Sequence, residues 1–500
     1  MSAGPLVAAQ GRVLRRVLRR HWALVLLVLA ACALRVVAVV AIYPGIWFSD
    51  SNGYIRTAAT GILLTHRVGG YSLVVAPFWH MGSASALIVT QHLLGVGIAV
   101  LLYALLVHRG VPRMLALVAS LPAALDAYLI HVEHTIMSET VFHATLVGAF
   151  AMLLWKNRPG PVAAAAGGVL LGYAAIVRNV AVPLLAVFVI YLLARRVGWQ
   201  RLLVFCLGWA LVIAGYATVF KIQHGEFTLT QSSGRFLYGK VAPFADCAKL
   251  DGLPPDQRSL CPDPANRLTT NGYMWGTRSP AYGVPRSEDS RLRGFAVRVV
   301  RQQPLTYARV VARGVLHYFE PSHRIGSNDY PVAAWQFPSD PRRWGYPGYR
   351  GPIRPMDPAR RLRHPITEPN RHVGAMVRRP RTNVAASRFL HDYQRFAYTP
   401  GPLLAACVVV VLLALLLRRG AARLRLDAAL LCATPLIALV FAQALSLFSY
   451  RCGLVAIFLL APAAALAAAA MLEGTSEARR RGAPGRTSRG TTSHATSVAG

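Results

Sequence analysis

Long apolar runs constrain this chain more than any other feature of its sequence. They are about 20 residues long, the length that a helix rising about 1.5 Å per residue needs to cross a hydrocarbon core about 30 Å thick. With 54% hydrophobic and only 15% charged residues, the 500-residue chain is also unlike a soluble enzyme. We therefore expect an all-α integral membrane protein with about ten transmembrane helices. These are predicted at residues 22–42, 83–107, 113–130, 138–155, 161–177, 179–195, 201–220, 401–418, 426–447 and 452–472.

Basic clusters in the short loops predict the orientation of these helices. All of the clusters fall on one side of the membrane if the helices alternate in direction. By the positive-inside rule that side is the cytoplasm, so we expect a cell-membrane protein with both termini cytoplasmic. The clusters lie at residues 15–20, 108–113, 156–158, 195–201, 418–425 and 479–481.

The same topology divides the chain into parts. A large loop domain between helices seven and eight is expected on the extracytoplasmic side, because long loops translocate largely regardless of charge. Only residues 290–319 of this domain have a helical pattern. The predicted parts are a cytoplasmic basic N-terminus at 1–21, a membrane module of seven spans at 22–220, the loop domain at 221–400, three C-terminal spans at 401–472 and a disordered cytoplasmic tail at 473–500.

The net charge of +34 does not indicate nucleic-acid binding here, although clustered cations often do. These cations flank apolar runs, where they fix orientation and contact lipid headgroups. We therefore expect anionic membrane lipids as partners and no nucleic acid.

Two cysteines differ from the rest in their surroundings. Cys247 and Cys261 lie in a polar stretch of the loop domain, whereas the others fall in or beside apolar runs. Two cysteines in an oxidising compartment indicate a disulfide, with two free thiols as the alternative.

Asp50 is the first candidate for catalysis. It follows the first apolar run at the water boundary, in YPGIWFSDSNGYIRTA. A lone carboxylate at that depth can act as a general base. The structural alternative is that Asp50 caps a helix beginning near Asn52, since Asp is a good N-cap.

A second cluster of ionisable residues lies in LDAYLIHVEHTIMSETVFHA. Such groups cost several kcal/mol at bilayer depth, so Glu133 and Glu139 are further catalytic candidates. With Asp50, Glu133 and His134 could offer ligands to a divalent ion such as Mg²⁺ or Mn²⁺, although no tight ligand spacing is present. For Glu139 the structural alternative is an acid in the first turn of a helix capped by Ser138.

Arginines near the same boundary are candidate ligands for a phosphate of the substrate. Arg35 lies within the first run, Arg178 interrupts the run between helices five and six, and Arg451 with Tyr450 opens the last run. Guanidinium groups bind phosphate bidentately. Each arginine could equally extend to the surface as a snorkelling side chain.

These residues resemble a known family. Arg35 and Asp50, followed by GGYSLVVAPFWHMG, IMSETVFHATLVGAF and the final SYRCGLVAIFLLAPAAALA, are similar to the GT-C superfamily of polyprenyl-phosphate-dependent glycosyltransferases. The nearest branch is the protein mannosyltransferase and aminoarabinose transferase type. The resemblance covers residues 30–200 well and residues 221–400 weakly.

The resemblance implies an inverting sugar transfer on the outer face, from a polyprenyl-phosphate donor to a hydroxyl of an envelope glycan, lipid or protein. The family's catalytic base maps onto Asp50, and the acid that opens its fourth span maps onto Glu139. The family's frequent acidic pair is Ser49 and Asp50 here, and its Pro-Asp is Ser138-Glu139. Two other functions stay open: a transporter or flippase of an anionic lipid-linked substrate, and a non-catalytic envelope-assembly protein.

Overall fold

A computed structural model of the chain describes residues 19–321, 325–326, 328–342, 381–418 and 420–482, with side chains as far as residue 473. Helices carry nearly all of the described secondary structure. The first of them are α1 Trp22–Ala41, α2 Ser49–Thr60, α3 Gly70–His80, α4 Ala84–His108, α5 Arg113–Leu125, α6 Ala127–Glu133, α7 Glu139–Leu154, α8 Pro161–Val177, α9 Leu184–Ala194 and α10 Trp199–His224.

The second half adds the loop domain and the last membrane helices. Its α-helices are α11 Ser233–Val241, α12 Pro255–Arg258, α13 Thr270–Trp275, α14 Asp289–Gln302, α15 Pro304–Leu316, α16 Val384–Gln394, α17 Gly401–Leu417, α18 Ala422–Leu445 and α19 Tyr450–Gly482. Single 3-10 turns lie at Asn179–Ala181, Cys247–Lys249, Arg286–Glu288, His317–Phe319 and Val332–Trp335. Two short strands, β1 Ile42–Tyr43 and β2 Arg381–Thr382, pair antiparallel and tie the end of the loop domain to the end of α1.

Five of the described helices are long and apolar enough to cross a membrane: α1, α4, α10, α18 and the first part of α19. The bent pair α5 and α6, with an angle of 49° between them, counts as a sixth. The chain is therefore a helical membrane protein. The remaining predicted spans also coincide with apolar helices, but α7, α8, residues 179–194 and α17 are shorter than 18 residues.

The last membrane helix, α19, lies at the centre of the bundle and packs against α17, α18 and α5. At the side of the bundle, α8 and α10 approach closely through small residues. A Cβ on Gly168 would lie 2.0 Å from the carbonyl oxygen of Phe205, and Gly172 meets Trp209 in the same way one turn later. Small residues spaced four apart allow such close helix packing in membranes.

Buried Asp427 joins the basic loops at one end of the bundle. It accepts hydrogen bonds from Tyr191 at 2.8 Å and from Arg195 at 2.7 Å, and it pairs with Arg109. Arg195 also donates a hydrogen bond to the backbone carbonyl oxygen of Asn157, in the basic loop at 156–158. Basic loops that are distant in sequence therefore meet around one carboxylate. They are the loops of Arg109, Asn157 and Arg195, together with the loop 418–425, which leads into the helix that carries Asp427.

The loop domain contains its own small core, built by apolar side chains such as Tyr238, Leu292 and Phe295. The predicted disulfide between Cys247 and Cys261 is present and lies against this core. The single helix expected over residues 290–319 is instead two helices, α14 and α15. They break at Gln303 because Pro304 begins a new helix at its N1 position.

The domain holds more helix than its sequence pattern indicated. The helices α11, α12, α13 and α16 are short and polar, so they carry weak periodic signals. The helix α19 likewise continues to Gly482, into the segment that we expected to be disordered. Residues 1–18 of the basic N-terminus and 483–500 of the tail lie outside the described residues.

Candidate functional site

Asp50 lies in the first turn of α2, and the helix begins after Phe48 rather than near Asn52. The interpretation of Asp50 as the N-cap is therefore wrong. Its carboxylate accepts hydrogen bonds from Arg67 at 2.8 Å and from Arg451 at 3.0 Å. These arginines come from the loop after α2 and from the start of α19, so Asp50 joins parts of the chain that are far apart in sequence.

Glu139 occupies the first turn of α7 and pairs with Arg178. Arg451 also approaches this carboxylate, with 3.6 Å between its Nε and the Oε1 of Glu139. Ser138 does hold the N-cap position, but its hydroxyl makes no capping hydrogen bond. Arg451 therefore links both carboxylates into one group, which we call the arginine network: Asp50, Glu139, Arg67, Arg178 and Arg451.

Backbone contacts bring these side chains together. Ile46 pairs with the segment before α7: its N–H donates to the carbonyl of His134 at 2.8 Å, and its carbonyl accepts from Ile136 at 3.1 Å. The Ser51 hydroxyl donates to Ile136 at 2.8 Å. These bonds hold α2 beside α7, and so hold Asp50 near Glu139.

A glycine allows the third part of the site to approach. A Cβ on Gly70, at the start of α3, would lie 2.5 Å from the carbonyl oxygen of Ile176. No other residue fits there without a shift of the backbone. The end of α8 and Arg178 after it are thereby held against the first outer loop.

The arginine network carries three cations and two carboxylates, an excess of one positive charge. Burial alone would raise the pKa of Asp50, but Arg67 and Arg451 outweigh it and hold that pKa well below its usual range. The Nε groups of Arg67 and Arg451 are buried and have no hydrogen-bond partner in the described part of the chain. Unmatched charge and unpartnered donors together suit an anionic ligand.

Aromatic rings hold the arginines in place. The guanidinium carbon of Arg451 lies 5.1 Å from the ring centre of Trp335 and 5.5 Å from that of Phe48. Arg67 lies 5.4 Å from the ring of Tyr54, whose hydroxyl donates to Ser138 at 3.1 Å. Because Trp335 belongs to the loop domain, that domain forms one wall of the site.

Arg35 and Glu133 lie outside the arginine network. They bind one another through two hydrogen bonds of 2.8 Å, and only 3% and 4% of their surfaces are exposed. Arg35 also donates to the backbone carbonyls of Ala31 and Ala124. The structure thus places the expected phosphate ligand Arg35 and the candidate acid Glu133 in a separate buried pair.

Two histidines extend this pair into a hydrogen-bonded chain. His92 lies 3.0 Å from Glu133 and 3.1 Å from His134, whose other nitrogen lies 2.8 Å from the carbonyl oxygen of Ile42. Side chains from α1, α4 and α6 are thereby linked within the bundle.

The proposed metal ligands are not brought together. Asp50 is bound by arginines, whereas Glu133 and His134 belong to the buried chain. Among the described residues, no group of three or more His, Cys, Asp or Glu side chains is placed to hold a metal ion. The predicted set of Asp50, Glu133 and His134 is therefore wrong.

Tyr450 packs its ring against Tyr128, with 4.4 Å between ring centres, beside the network formed by its neighbour Arg451. Sequence reasoning missed Arg67, Trp335 and His92. Only Arg67 carried a signal, since it is a basic residue in the same outer loop as Asp50. Comparison of the chain with models of protein families, with curated proteins and with solved structures finds no match.

Proposed function

We propose that this protein is a membrane glycosyltransferase. It transfers a sugar from a polyprenyl-phosphate-linked donor to an acceptor hydroxyl, with inversion. The observation that carries the proposal is the position of Arg451, which forms ion pairs with both Asp50 and Glu139 and whose Nε makes no hydrogen bond to any described residue. A base beside a cluster of cations is what this reaction requires, because the acceptor loses a proton while the leaving phosphate gains negative charge.

The reaction then follows from these groups. The acceptor oxygen forms a bond to the anomeric carbon of the sugar, and the bond from that carbon to the phosphate oxygen breaks. The acceptor proton passes to Asp50, and the polyprenyl phosphate leaves with the bonding electron pair. Arg451 and Arg178 stabilise the charge that develops on the phosphate.

Donor binding also activates the base. Without a donor, Arg67 and Arg451 lower the pKa of Asp50 and make it a weak base. A phosphate that pairs with Arg451 removes part of that effect, so Asp50 becomes more basic once the donor is bound.

In this proposal the ten apolar helices each cross the cell membrane, with both termini in the cytoplasm. The loop domain and the arginine network then lie on the extracytoplasmic face. The positive-inside rule supports this orientation, as does the meeting of the basic loops around Asp427 at one end of the bundle. The disulfide in the loop domain supports an oxidising compartment.

One observation favours transport as a second candidate function. The side chains of Arg35, Glu133, His92 and His134 form a hydrogen-bonded chain that is buried within the helices. Ionisable groups inside a bundle are typical of transporters and flippases. The substrate would be the same class of anionic lipid-linked sugar.

The main test measures transfer by purified protein in detergent, where no membrane separates two compartments and transport has no effect. The donor is the polyprenyl-phosphate-sugar fraction of membranes that lack the gene, and products are identified by mass spectrometry. Asp50→Asn should lower turnover by about 10²- to 10⁴-fold. The matched control Asp256→Asn, at an exposed carboxylate of the loop domain, should keep wild-type turnover.

Two outcomes would contradict the proposal. Wild-type protein that transfers no sugar in detergent, although cells lacking the gene lose an envelope glycan, would favour the transporter. An Asp50→Asn protein that keeps more than about a tenth of wild-type turnover would rule out Asp50 as the base.

A further inference from the structure

The loop that carries Arg67 also contacts the loop domain. The carbonyl of Thr65 accepts a hydrogen bond from the backbone of Gln231 at 2.7 Å, and its hydroxyl accepts one from Arg286. Two parts of the chain therefore meet beside Asp50. Neither contact involves the arginine network's own ion pairs.

His66 lies at this junction as a neutral side chain. Burial, followed by the charges of Arg67 and Arg286, lowers its pKa to about 4. Its ring meets the ring of Trp275 almost at a right angle, 6.1 Å between centres. The Nδ1 atom of His66 is buried and has no hydrogen-bond partner among the described residues.

Positive charge at the junction exceeds what the protein itself neutralises. Arg286 donates to Thr65 at the junction, and Arg56 is an exposed arginine of α2, the helix that carries Asp50. Neither makes an ion pair within the part of the chain that the structure describes, whereas Arg67 is matched by Asp50. Trp275 backs against Phe236 at 5.8 Å and is 44% exposed, so part of its ring is open to a ligand.

We propose that His66, Trp275, Arg286 and Arg56 form a second anion-binding subsite, which holds an acidic group of the acceptor. Arg286 can bind a carboxylate or phosphate with two parallel hydrogen bonds, and His66 can donate one more. Trp275 offers an apolar face to the attached sugar ring. The inference rests on the proposed transferase function and narrows its acceptor to acidic glycans.

This assignment gives the two sides of Asp50 different tasks. Arg178 follows α8 and Arg451 begins α19, and the proposed reaction assigns both to the lipid phosphate, whereas Arg286 belongs to the loop domain. A donor bound on one side and an acidic acceptor on the other would place the acceptor hydroxyl near Asp50. A neutral glycan or a protein hydroxyl would leave the charge of Arg286 and Arg56 unmatched.

The test is equilibrium binding, which needs no turnover and is independent of the transfer assay. Purified protein in detergent is titrated with glucuronate, with glucose 6-phosphate and with glucose, and followed by calorimetry. We expect both acidic sugars to bind and glucose to bind at least tenfold more weakly, as loss of charge-assisted hydrogen bonds implies. Raising the salt concentration should weaken binding of the acidic sugars only.

Variants locate the subsite. Arg286→Gln should weaken glucuronate binding by about tenfold or more, and Arg56→Gln should weaken it in the same direction. The matched control Arg301→Gln, an exposed arginine of α14, should bind as wild type does. Arg451→Gln should also leave glucuronate binding in place, since Arg451 belongs to the donor side.

Three results would overturn the subsite. They are equal binding of glucose and glucuronate, no saturable glucuronate binding by wild-type protein, and loss of binding in Arg451→Gln but not in Arg286→Gln. If glucuronate binds through Arg286 while Asp50→Asn remains active in the transfer assay, the subsite stands and the assignment of the base fails. The two proposals can therefore fail separately.

Discussion

Arg451 does more in the candidate site than any other single residue. It lies 3.0 Å from Asp50 and 3.6 Å from Glu139, and it is enclosed by the rings of Trp335 and Phe48. Its removal takes away the proposed phosphate partner and at the same time releases two carboxylates, half-buried Asp50 and buried Glu139, from a shared cation. Donor binding and the basicity of Asp50 should therefore change together.

We predict that Arg451→Ala weakens donor binding by about tenfold or more, since a charge-assisted partner of the phosphate is lost. The apparent pKa of the base should rise because one of its two cations is gone. Steady-state kinetics over a range of donor concentrations and pH values measure both effects. An unchanged KM for the donor in Arg451→Ala would contradict the phosphate-binding role.

The buried pair of Arg35 and Glu133 provides a second prediction. Arg35→Met alone should destabilise the protein by about 3 to 5 kcal/mol, because it leaves Glu133 buried without its main partner. The double variant Arg35→Met with Glu133→Leu should lose much less than the sum of the two single changes. Thermal unfolding in detergent of all four proteins completes the cycle.

The alternative outcome for this pair is specific. If Arg35→Met keeps wild-type stability and instead raises the KM for the donor, Arg35 is the phosphate ligand that the sequence suggested. The readouts of stability and KM separate a structural role from a binding role.

The sequence predicted the members of the site better than their pairing. Asp50, Glu139, Arg178 and Arg451 stood out because ionisable residues beside apolar helices are costly unless they are used. The same rule selected Arg35, which pairs with a residue 98 positions away instead of binding the site. Local sequence contains no information on such long-range pairing.

At the scale of elements, the disulfide stabilises the loop domain. Cys247 and Cys261 are 14 residues apart, so their link should stabilise the fold by about 3 kcal/mol on chain-entropy grounds. The double variant Cys247→Ser, Cys261→Ser should therefore show a lower unfolding temperature, most clearly in the loop domain. Thermal unfolding measures the change in temperature, and hydrogen exchange followed by mass spectrometry shows whether the loss of stability lies in the loop domain. The control is Cys432→Ser, in a membrane helix. Two free thiols in unreduced protein would contradict the link.

Lys240 in α11 makes the free energy of unfolding depend on pH in the alkaline range. Its ammonium is buried and donates to the carbonyl of Ser446, in the turn before α19. Burial lowers its pKa from 10.5 to about 8, although the charge of Asp329 opposes the shift. Between those two values the unfolded chain binds more protons than the folded protein, so stability rises with pH.

We predict that wild-type protein gains stability relative to Lys240→Met as the pH rises from about 8 to 10.5, by about 3 kcal/mol at most. Below about pH 8 both states are protonated and the difference should be constant. Unfolding temperatures of the two proteins across this range test the sign. A difference that shrinks or stays flat above pH 8 would show that burial does not lower the pKa of Lys240, so that its side chain stays charged in the folded protein.

Membrane helices were easier to predict than the helices of the loop domain. A run of apolar residues is a strong signal, and each predicted span coincides with an apolar helix. The helices α11 and α13 are short and have only one apolar face. Their stability therefore depends on the core of the loop domain, which the disulfide lies against. The kink between α14 and α15 was readable in principle, because Pro304 follows Gln303.

At the scale of the whole molecule, polar groups gather at two ends of an apolar bundle. One end contains Asp427 and the basic loops, and the other contains the arginine network beneath the loop domain. The loop domain is fastened there at several points. The backbone of Tyr330 donates to Phe448 at 2.8 Å, and Tyr307 donates to Ala444 at 3.0 Å.

This arrangement leads to a topology prediction. If the positive-inside rule sets the orientation, a cysteine placed at Ser287 in the loop domain is extracytoplasmic, and one placed at Lys156 is cytoplasmic. Both positions are exposed, and neither belongs to the arginine network. A membrane-impermeant maleimide should label Ser287→Cys in intact cells and Lys156→Cys only after the cells are lysed. Wild-type protein measures the background labelling of its own five free cysteines.

The reverse pattern, with Lys156→Cys labelled in intact cells and Ser287→Cys protected, would place the arginine network in the cytoplasm. A polyprenyl-phosphate donor displayed on the outer face could not reach it there, and the disulfide would lie in a reducing compartment. Labelling of both positions in intact cells would show that an even number of membrane-spanning helices separates Lys156 from Ser287, whereas ten alternating spans place three between them. These labelling results therefore test whether the reaction can take place on the outer face, because Asp50 and Arg451 can act on a lipid-linked donor only on the side where that donor is displayed.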